Sequence, residues 1–226
     1  MTVRSTFRDA VWWAEDYAYA AAWQTRGIFA GSPHHYLSGG KRPVVILPGV
    51  WESWTFMVPL IKPLHADGHP IHVLAHLGRN TRKVAETAQT VADYVRDNDL
   101  LDVVLVAHSK GGLIGKYVMT FLDSEHRITS MVAVCSPFSG SRYAHYLVLP
   151  SLRAFSPRDP TTVLVKDDVR ANSRILSIFG EFDPHIPEGS ALLGGTNLKL
   201  ALGGHFRLLG APEVRDAVVH AANLAQ

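Results

Sequence analysis

Residues 103–112 read Val-Val-Leu-Val-Ala-His-Ser-Lys-Gly-Gly, and this stretch decides the fold of the 226-residue chain. Its first five residues are all apolar, which predicts a strand that is buried on both faces of a sheet. The two glycines that follow predict a sharp turn into a helix, which we place over 111–122. Small residues on either side of Ser109 leave room for that turn, so it should lift the serine out of the sheet at the carboxyl end of the strand.

Short apolar runs of the same kind recur along the chain, with turn residues and helical patterns between them. These runs cover 44–47, 71–75, 131–135, 175–179 and, more weakly, 198–201. The spacing predicts an amphipathic helix from Val84 to Val95 with Thr81 as its N-cap, and a terminal helix over 212–224. Because parallel strands need helical crossovers, we predict an α/β fold with about six mainly parallel strands and helices on both faces.

The segment before the first strand has a different composition. A helix rich in alanine and aromatic residues is predicted over 6–25, and the Gly, Pro and Ser residues of 27–42 indicate a connector. The polar positions of this helix carry acids as well as bases, which favours packing on its own domain over a membrane-surface role, although contact with a membrane or movement as a lid stays open. We therefore expect an N-terminal helix and connector over 1–41, packed on a catalytic domain over 42–226.

Composition excludes several classes of protein. Twenty-two Lys and Arg against 20 Asp and Glu give a formal charge of +2, which is too small to indicate a nucleic-acid partner. No run of about 18 apolar residues occurs, so no transmembrane segment is predicted, and the first 20 residues lack the pattern of an ordinary signal peptide. The single cysteine, Cys135, excludes an intramolecular disulfide and favours the cytoplasm.

Two later loops carry residues that would complete a catalytic set with Ser109. A serine in such a turn needs a base and an orienting acid, and in sheets of this kind the acid precedes the histidine in the chain. Asp183 follows the fifth apolar run and His205 follows the sixth, so both should reach the same edge of the sheet as Ser109. Glu181 is a competing acid and His185 a competing base.

Four histidines lie close together in sequence, at positions 65, 69, 72 and 76. Gly68 and Pro70 interrupt them, so no single helix aligns all four, and positions 72 and 76 of one strand would be about 13 Å apart. We therefore predict no metal site. Cys135 ends an apolar strand, which is typical of a buried core thiol.

The serine stretch, Asp183 and His205 together resemble the motifs of α/β-hydrolases, specifically small lipases and esterases with little or no cap domain. The resemblance covers roughly 42–224. Residues 107–112 are similar to the serine motif of small lipases that carry alanine where the longer motif has its first glycine. Residues 136–141, Ser-Pro-Phe-Ser-Gly-Ser, are similar to their Thr-Pro-x-x-Gly-Ser stretch.

The resemblance also implies an oxyanion hole and a place for the substrate. Residues 48–50, Pro-Gly-Val, stand where such enzymes usually have His-Gly-X, which assigns the oxyanion to the backbone N–H groups of Val50 and Lys110. The side chain of Lys110 is expected either to pack over the turn towards a carboxylate or to reach solvent at the mouth of the site, where its charge would attract an anionic substrate. Substrate contacts are expected from Trp51 and from three residues after the fourth strand, where these enzymes commonly form an acyl pocket: Tyr146, Leu147 and Leu149.

The activity implied by the resemblance is hydrolysis of carboxylic esters through an acyl-enzyme. Ser109 would be the nucleophile, His205 the base and Asp183 the residue that orients the base, with no cofactor and no metal. The expected partner is a small-molecule ester with a hydrophobic acyl group. A thioesterase or an amidase with the same triad, and a binding protein that kept only the fold, remain alternatives. Acyl length, alcohol, stereoselectivity and oligomeric state stay open.

Overall fold

The computed structural model describes residues 3–146 and 155–224. Six strands form one sheet in the order β2-β1-β3-β4-β5-β6, and every neighbouring pair is parallel. The strands are β1 Val44–Leu47, β2 Ile71–Val73, β3 Val103–His108, β4 Ile128–Val134, β5 Ile175–Phe182 and β6 Thr196–Gly203. The predicted α/β class and the six-stranded parallel sheet are confirmed.

Helices cover both faces of this sheet. They are α1 Val3–Ile28, α2 Val58–Ala66, α3 Val84–Asp97, α4 Lys110–Tyr117, α5 Pro160–Asp167 and α6 Pro212–Asn223. A single wide turn, Val118–Leu122, continues α4, and a short 3₁₀ helix, Pro33–Leu37, lies in the N-terminal connector. No helix in the described ranges is long and apolar enough to cross a membrane.

Each central strand contributes to two hydrophobic cores. On β3, Val103, Leu105 and Ala107 pack with residues of α3 and α4, whereas Val104 and Val106 pack with residues of α2 and α6. All five side chains are fully buried. The run of apolar residues in β3 thus reflects a helical layer on each side of the sheet, as the sequence pattern predicted.

The N-cap of α3 differs from the prediction, whereas its first residue does not. The helix begins at Val84, as predicted, with Lys83 as its N-cap, so the assignment of Thr81 as N-cap is wrong. The side chain of Lys110 donates hydrogen bonds to the carbonyl oxygens of Asn80 and Arg82. These bonds hold the chain before Lys83 outside the helix, so Thr81 does not cap it.

The sequence analysis did not identify α2. This helix of nine residues has Pro59 in its first turn and Pro63 inside it. Proline in the first turn is well tolerated because its missing N–H would have no partner there, but an internal proline removes a helical hydrogen bond. Leu60, Ile61 and Leu64 are fully buried, so tertiary packing outweighs the weak local preference.

The N-terminal helix α1 packs on the same side of the sheet as α2 and α6. Tyr19, Ala20 and Trp23 contact that core. Trp12 lies directly on Gly203 at the end of β6, where a Cβ atom would come within 2.1 Å of the Trp12 ring. Helix α1 is thus seated against the end of the strand that leads to His205.

Candidate active site

Ser109 occupies the turn between β3 and α4. Its backbone has a φ of +50°, a left-handed conformation that is uncommon for residues other than glycine, and its N–H donates to the carbonyl oxygen of Val134 at 2.9 Å. A Cβ at Gly111 would lie 2.0 Å from the carbonyl oxygen of Leu47, so only glycine fits where α4 approaches β1. These contacts account for the small residues beside the serine.

The residues predicted as acid and base meet Ser109 at the carboxyl edge of the sheet. The Nε2 atom of His205 lies 3.0 Å from the Ser109 Oγ atom, and its Nδ1 atom lies 2.8 Å from Asp183 Oδ2. The other Asp183 oxygen accepts from the backbone N–H groups of His185 and Ile186 at 2.8 and 3.0 Å. The structure therefore brings all three predicted residues into one chain of hydrogen bonds.

The charges around this chain favour an ionised acid next to the histidine. Burial by itself would raise the pKa of Asp183, but the charge and hydrogen bond of His205 and the N–H of His185 lower that pKa below its ordinary value. Burial would likewise lower the pKa of His205, but Asp183, and then Asp16 and Glu52, raise it above 6.5. The arrangement suits a histidine that accepts a proton and forms an imidazolium.

The two competing residues lie elsewhere or lack the necessary bonds. Glu181 is exposed, and its carboxylate faces Arg8 at 3.6 Å. The ring of His185 lies beside His205, with 4.9 Å between ring centroids, and burial followed by the charge of His205 lowers the pKa of His185 to about 4. His185 is therefore neutral at neutral pH.

In the loop after β1, one backbone N–H near the serine lacks an acceptor among the described residues. Gly49 donates to Glu52 Oε2 at 2.8 Å and Trp51 donates to the carbonyl oxygen of Arg79 at 2.7 Å. In the described part of the chain the N–H of Val50 has no acceptor, and Val50 lines the same cavity as Ser109. Lys110 is the first residue of α4, where N–H groups have no intrahelical acceptor. Both predicted donors are thus free to bind an anion.

The side chain of Lys110 does neither of the things expected of it. It is fully buried, and its ammonium donates to the carbonyl oxygens of Asn80 and Arg82. Burial lowers the pKa of Lys110 to about 8, an effect that the charge of Glu86 partly offsets. The lysine is therefore neither solvated nor turned towards a substrate. It holds the loop whose Asn80 side chain donates to the carbonyl oxygen of Pro48 at 2.7 Å.

A second buried pair of an acid and a histidine lies behind the serine, and the sequence analysis missed it. His108 Nδ1 is 2.8 and 2.9 Å from the two carboxylate oxygens of Glu52, and its Nε2 is 3.1 Å from the carbonyl oxygen of His205. Both residues are at most 1% exposed. Both ring nitrogens of His108 thus face acceptors, and the pair is shielded from water. It joins the Gly49 loop to His205.

We expect Glu52→Leu to lower the free energy of unfolding by about 3–5 kcal/mol, because removing one member of a buried pair strands the other. The Gly49 N–H and His108 Nδ1 would both lose their partner. Glu52→Gln is the matched control, since its amide can accept from Gly49 and donate to a neutral His108. Urea unfolding of the three proteins checks this. Equal losses for Leu and Gln, or a loss below about 1 kcal/mol for Leu, would contradict a structural role for the pair.

Ser109 and His205 open into a cavity of about 470 Å³ with a mainly apolar lining. Ala144, Phe155 and Ile186 form buried parts of its wall, and Trp51, which is 40% exposed, lies at its mouth. Trp51 thus lines the cavity, and its contact with a substrate stays a prediction. The predicted contacts of Leu147 and Leu149 lie outside the described residues, as does the side chain of Tyr146.

One group of three potential metal ligands lies at this site: Cys135, Asp183 and His205, whose ligand atoms are within 4.8 Å of one another. Asp183 and His205 already use these atoms to bond each other. Burial, and then the charges of Asp183 and Asp16, raise the pKa of the Cys135 thiol well above its usual range, so the sulfur keeps its proton. The donor set does not fit a metal ion, which needs deprotonated ligands with free lone pairs.

No protein-family model matches the chain, and no curated protein matches it. Solved structures do. One of the two metagenome-derived lipolytic enzymes LipS and LipT is 11% identical with a TM-score of 0.65, covering 83% of this chain and 96% of its own. The mature lipase BlEst2 of Bacillus licheniformis is 13% identical with a TM-score of 0.67, covering 86% and 95%.

A third similar structure is the alpha/beta hydrolase domain-containing protein 10 from mouse. It is 12% identical with a TM-score of 0.59, and the match covers 81% of this chain and 89% of the mouse protein. At identities this low the likeness concerns the course of the backbone and not the chemistry. The likeness extends over most of this chain and of the three structures, and the parallel sheet with helices on both faces fits it: the chain has the α/β-hydrolase fold.

Proposed function

We propose that this protein is a serine hydrolase that cleaves carboxylic esters with apolar acyl groups. One observation carries the proposal: Ser109, His205 and Asp183 form a continuous hydrogen-bonded chain at the floor of an apolar cavity. A nucleophile within hydrogen-bond reach of a base, which an acid in turn orients, is the arrangement that nucleophilic catalysis requires. The lipolytic enzymes among the similar structures support the same class.

The mechanism follows from this arrangement. Ser109 Oγ attacks the ester carbonyl carbon while its proton passes to His205 Nε2, and the charge of Asp183 stabilises the imidazolium. The backbone N–H groups of Val50 and Lys110 bind the negative oxygen of the tetrahedral intermediate. His205 then gives its proton to the leaving alcohol, and the acyl group stays on Ser109. A water molecule then attacks the acyl carbon while its proton passes to His205, and His205 returns that proton to Ser109 Oγ as the bond to the acyl group breaks and the acid leaves.

The cavity favours an apolar acyl group over a polar one. Its volume of about 470 Å³ lies within the range of small-molecule sites, and most of its wall comes from apolar side chains. The hydroxyl of Ser141, which also lines the cavity, donates to the carbonyl oxygen of His185 at 2.7 Å and so does not face a ligand. The recognition of the acyl group therefore rests mainly on apolar burial.

Covalent labelling and a substrate panel test the proposal. We expect a fluorophosphonate to label Ser109, with no labelling of Ser109→Ala, and we expect hydrolysis of an octanoate ester to exceed that of the matched thioester and amide. Labelling with a preference for the thioester or the amide would reassign the substrate class. Absence of both labelling and turnover in folded protein would favour a binding protein that kept only the fold.

Ala144 gives a test of where the acyl chain lies. This residue is 2% exposed and lines the cavity, so leucine would fill part of the space. We expect Ala144→Leu to lower kcat/KM for an octanoate ester by at least about 10-fold while an acetate ester changes little. Ala66→Leu, an exposed site at the end of α2, is the control. An equal loss on both esters would mean that the acyl chain does not pass Ala144.

We further propose a cytoplasmic location. The buried, unpaired thiol of Cys135 is compatible with it.

We also propose that the chain divides into a helix and connector over 1–41 and a catalytic domain over 42–226. The contacts of α1 support this division. This helix packs through Trp12 on Gly203, and its Asp16 bonds the loop that carries His205.

A further inference from the structure

Asp16 of α1 is fully buried. Its Oδ1 atom accepts three backbone N–H groups, those of His205, Phe206 and Arg207, at 2.8, 2.7 and 2.9 Å. Its Oδ2 atom has no hydrogen-bond partner in the described part of the chain. A buried carboxylate is costly unless its charge is compensated, and here three consecutive N–H groups at the start of a helical turn compensate it.

The three bonds fix the backbone of the loop that carries the catalytic histidine. Residues Arg207–Gly210 form a short 3₁₀ helix. Because Asp16 Oδ1 accepts from three successive N–H groups at its start, this oxygen sets the orientation of the helix. On the opposite side, the carbonyl oxygen of His205 lies 3.1 Å from His108 Nε2. The main chain of His205 is therefore held at both its N–H and its C=O, which limits how far the ring can move from Ser109.

The surroundings of Asp16 are shaped for its carboxylate. Gly204 has a φ of +119°, and a Cβ at this position would lie 2.7 Å from Asp16 Oδ1. Gly203 leaves room for the ring of Trp12, which lies one turn before Asp16 on α1. Two glycines in succession thus allow α1 to bring its carboxylate against the loop, and any other residue at 204 would meet both steric strain and the acid.

Asp16 also adds negative charge to the surroundings of the base. The groups that face His205 are Ser109, Asp183, Glu52, His108, His185 and the thiol of Cys135, in addition to Asp16. Burial lowers the pKa of His205. Asp183 raises this pKa most, and the charge of Asp16 raises it next. Asp16 can therefore act on His205 both through the loop and through its charge.

We infer that Asp16 is a positioning residue, which holds the His205 loop in place and sets a negative charge beside the base. The inference rests on the proposed function for its catalytic meaning, but its two parts can be measured without a substrate. It assigns a role in the active site to α1, which lies outside the sheet and its connecting helices. Loss of α1 or of this single side chain should therefore impair the base.

Two variants separate the two parts. Asp16→Asn keeps an oxygen that accepts from the three N–H groups, and its NH₂ group takes the position of Oδ2, which has no partner in the described part of the chain. The loop therefore stays held while the charge is lost. Asp16→Ala removes both. Asp9→Asn, two turns earlier on α1, is the control for a lost charge on the helix. The His205 titration is followed by NMR of protein with ¹⁵N-labelled histidine, and the His205 signal is assigned by its absence in His205→Gln.

We expect Asp16→Asn to lower the titration midpoint of His205 by at least about half a pH unit and to keep kcat within about threefold at a pH above both midpoints. We expect Asp16→Ala to lower kcat at least about 10-fold under the same conditions. Asp9→Asn should change neither value. An unchanged midpoint in Asp16→Asn, or unchanged turnover in folded Asp16→Ala, would overturn the inference. If the wild-type protein hydrolyses no ester, the proposed function fails while the NMR titration still decides the role of Asp16.

Discussion

Replacement of Ser109 by alanine is expected to lower kcat for ester hydrolysis by at least about 10³-fold, and His205→Ala by a similar factor. In the structure the two side chains share one hydrogen bond of 3.0 Å, so either change removes the proton transfer that activates the nucleophile. Because the residues act as one unit, the double variant should be hardly slower than either single one. Rates under saturating substrate, measured with each purified protein, check this.

The folded state should survive these changes. Ser109 is held in its left-handed conformation by its backbone bond to Val134, which alanine keeps. We expect the melting temperature of Ser109→Ala to stay within a few degrees of the wild type, so a lost rate reports chemistry rather than unfolding. A folded Ser109→Ala protein with more than about a tenth of normal turnover would rule out Ser109 as the nucleophile.

Asp183→Asn should lower kcat by about 10³- to 10⁴-fold. Asp183 Oδ2 accepts a hydrogen bond from the Nδ1–H of His205, and an asparagine amide turned towards the ring would instead stabilise the opposite tautomer, in which Nε2 carries the proton. That tautomer cannot accept a proton from Ser109. The backbone N–H groups of His185 and Ile186 keep the amide oxygen on their own side, which leaves the amide NH₂ facing His205.

Glu181→Gln is the matched control for this change, since Glu181 lies two residues earlier and its carboxylate faces the exposed Arg8. We expect its activity to stay within about twofold of normal, because exposed ion pairs contribute little. Loss of activity in Glu181→Gln together with normal activity in Asp183→Asn would show that the acid has been assigned to the wrong residue.

The sequence predicts the sheet well because the strands are short, apolar and separated by turn residues. A strand with helices on both faces is buried at every position and therefore appears in the sequence as an uninterrupted apolar run. The run 44–47 has the same bounds as β1. The three site residues are predictable for a related reason. Each lies within two residues of the end of a strand of a parallel sheet, and the carboxyl ends of such strands meet at one edge.

Other features have no local signal in the sequence. Asp16 and Glu52 resemble ordinary polar residues of a helix and a loop, and their burial depends on partners that lie 189 and 56 residues away. The N-cap of α3 has no local signal for the same reason, because the buried ammonium of Lys110 holds the preceding loop. Long-range polar contacts of single side chains leave no periodic pattern, and only the folded chain shows them.

The bond between Asp16 and the His205 loop joins two parts of the chain that are 189 residues apart. During synthesis at about 5–20 residues per second, roughly 10–40 s pass between the emergence of the first part from the ribosome and that of the second. Throughout that interval Trp12 lacks Gly203 and Tyr19 lacks Gly210, on which they pack. The nascent chain would therefore expose aromatic surface until residues 203–210 have been synthesised, and the final docking of α1 would coincide with the assembly of the catalytic residues.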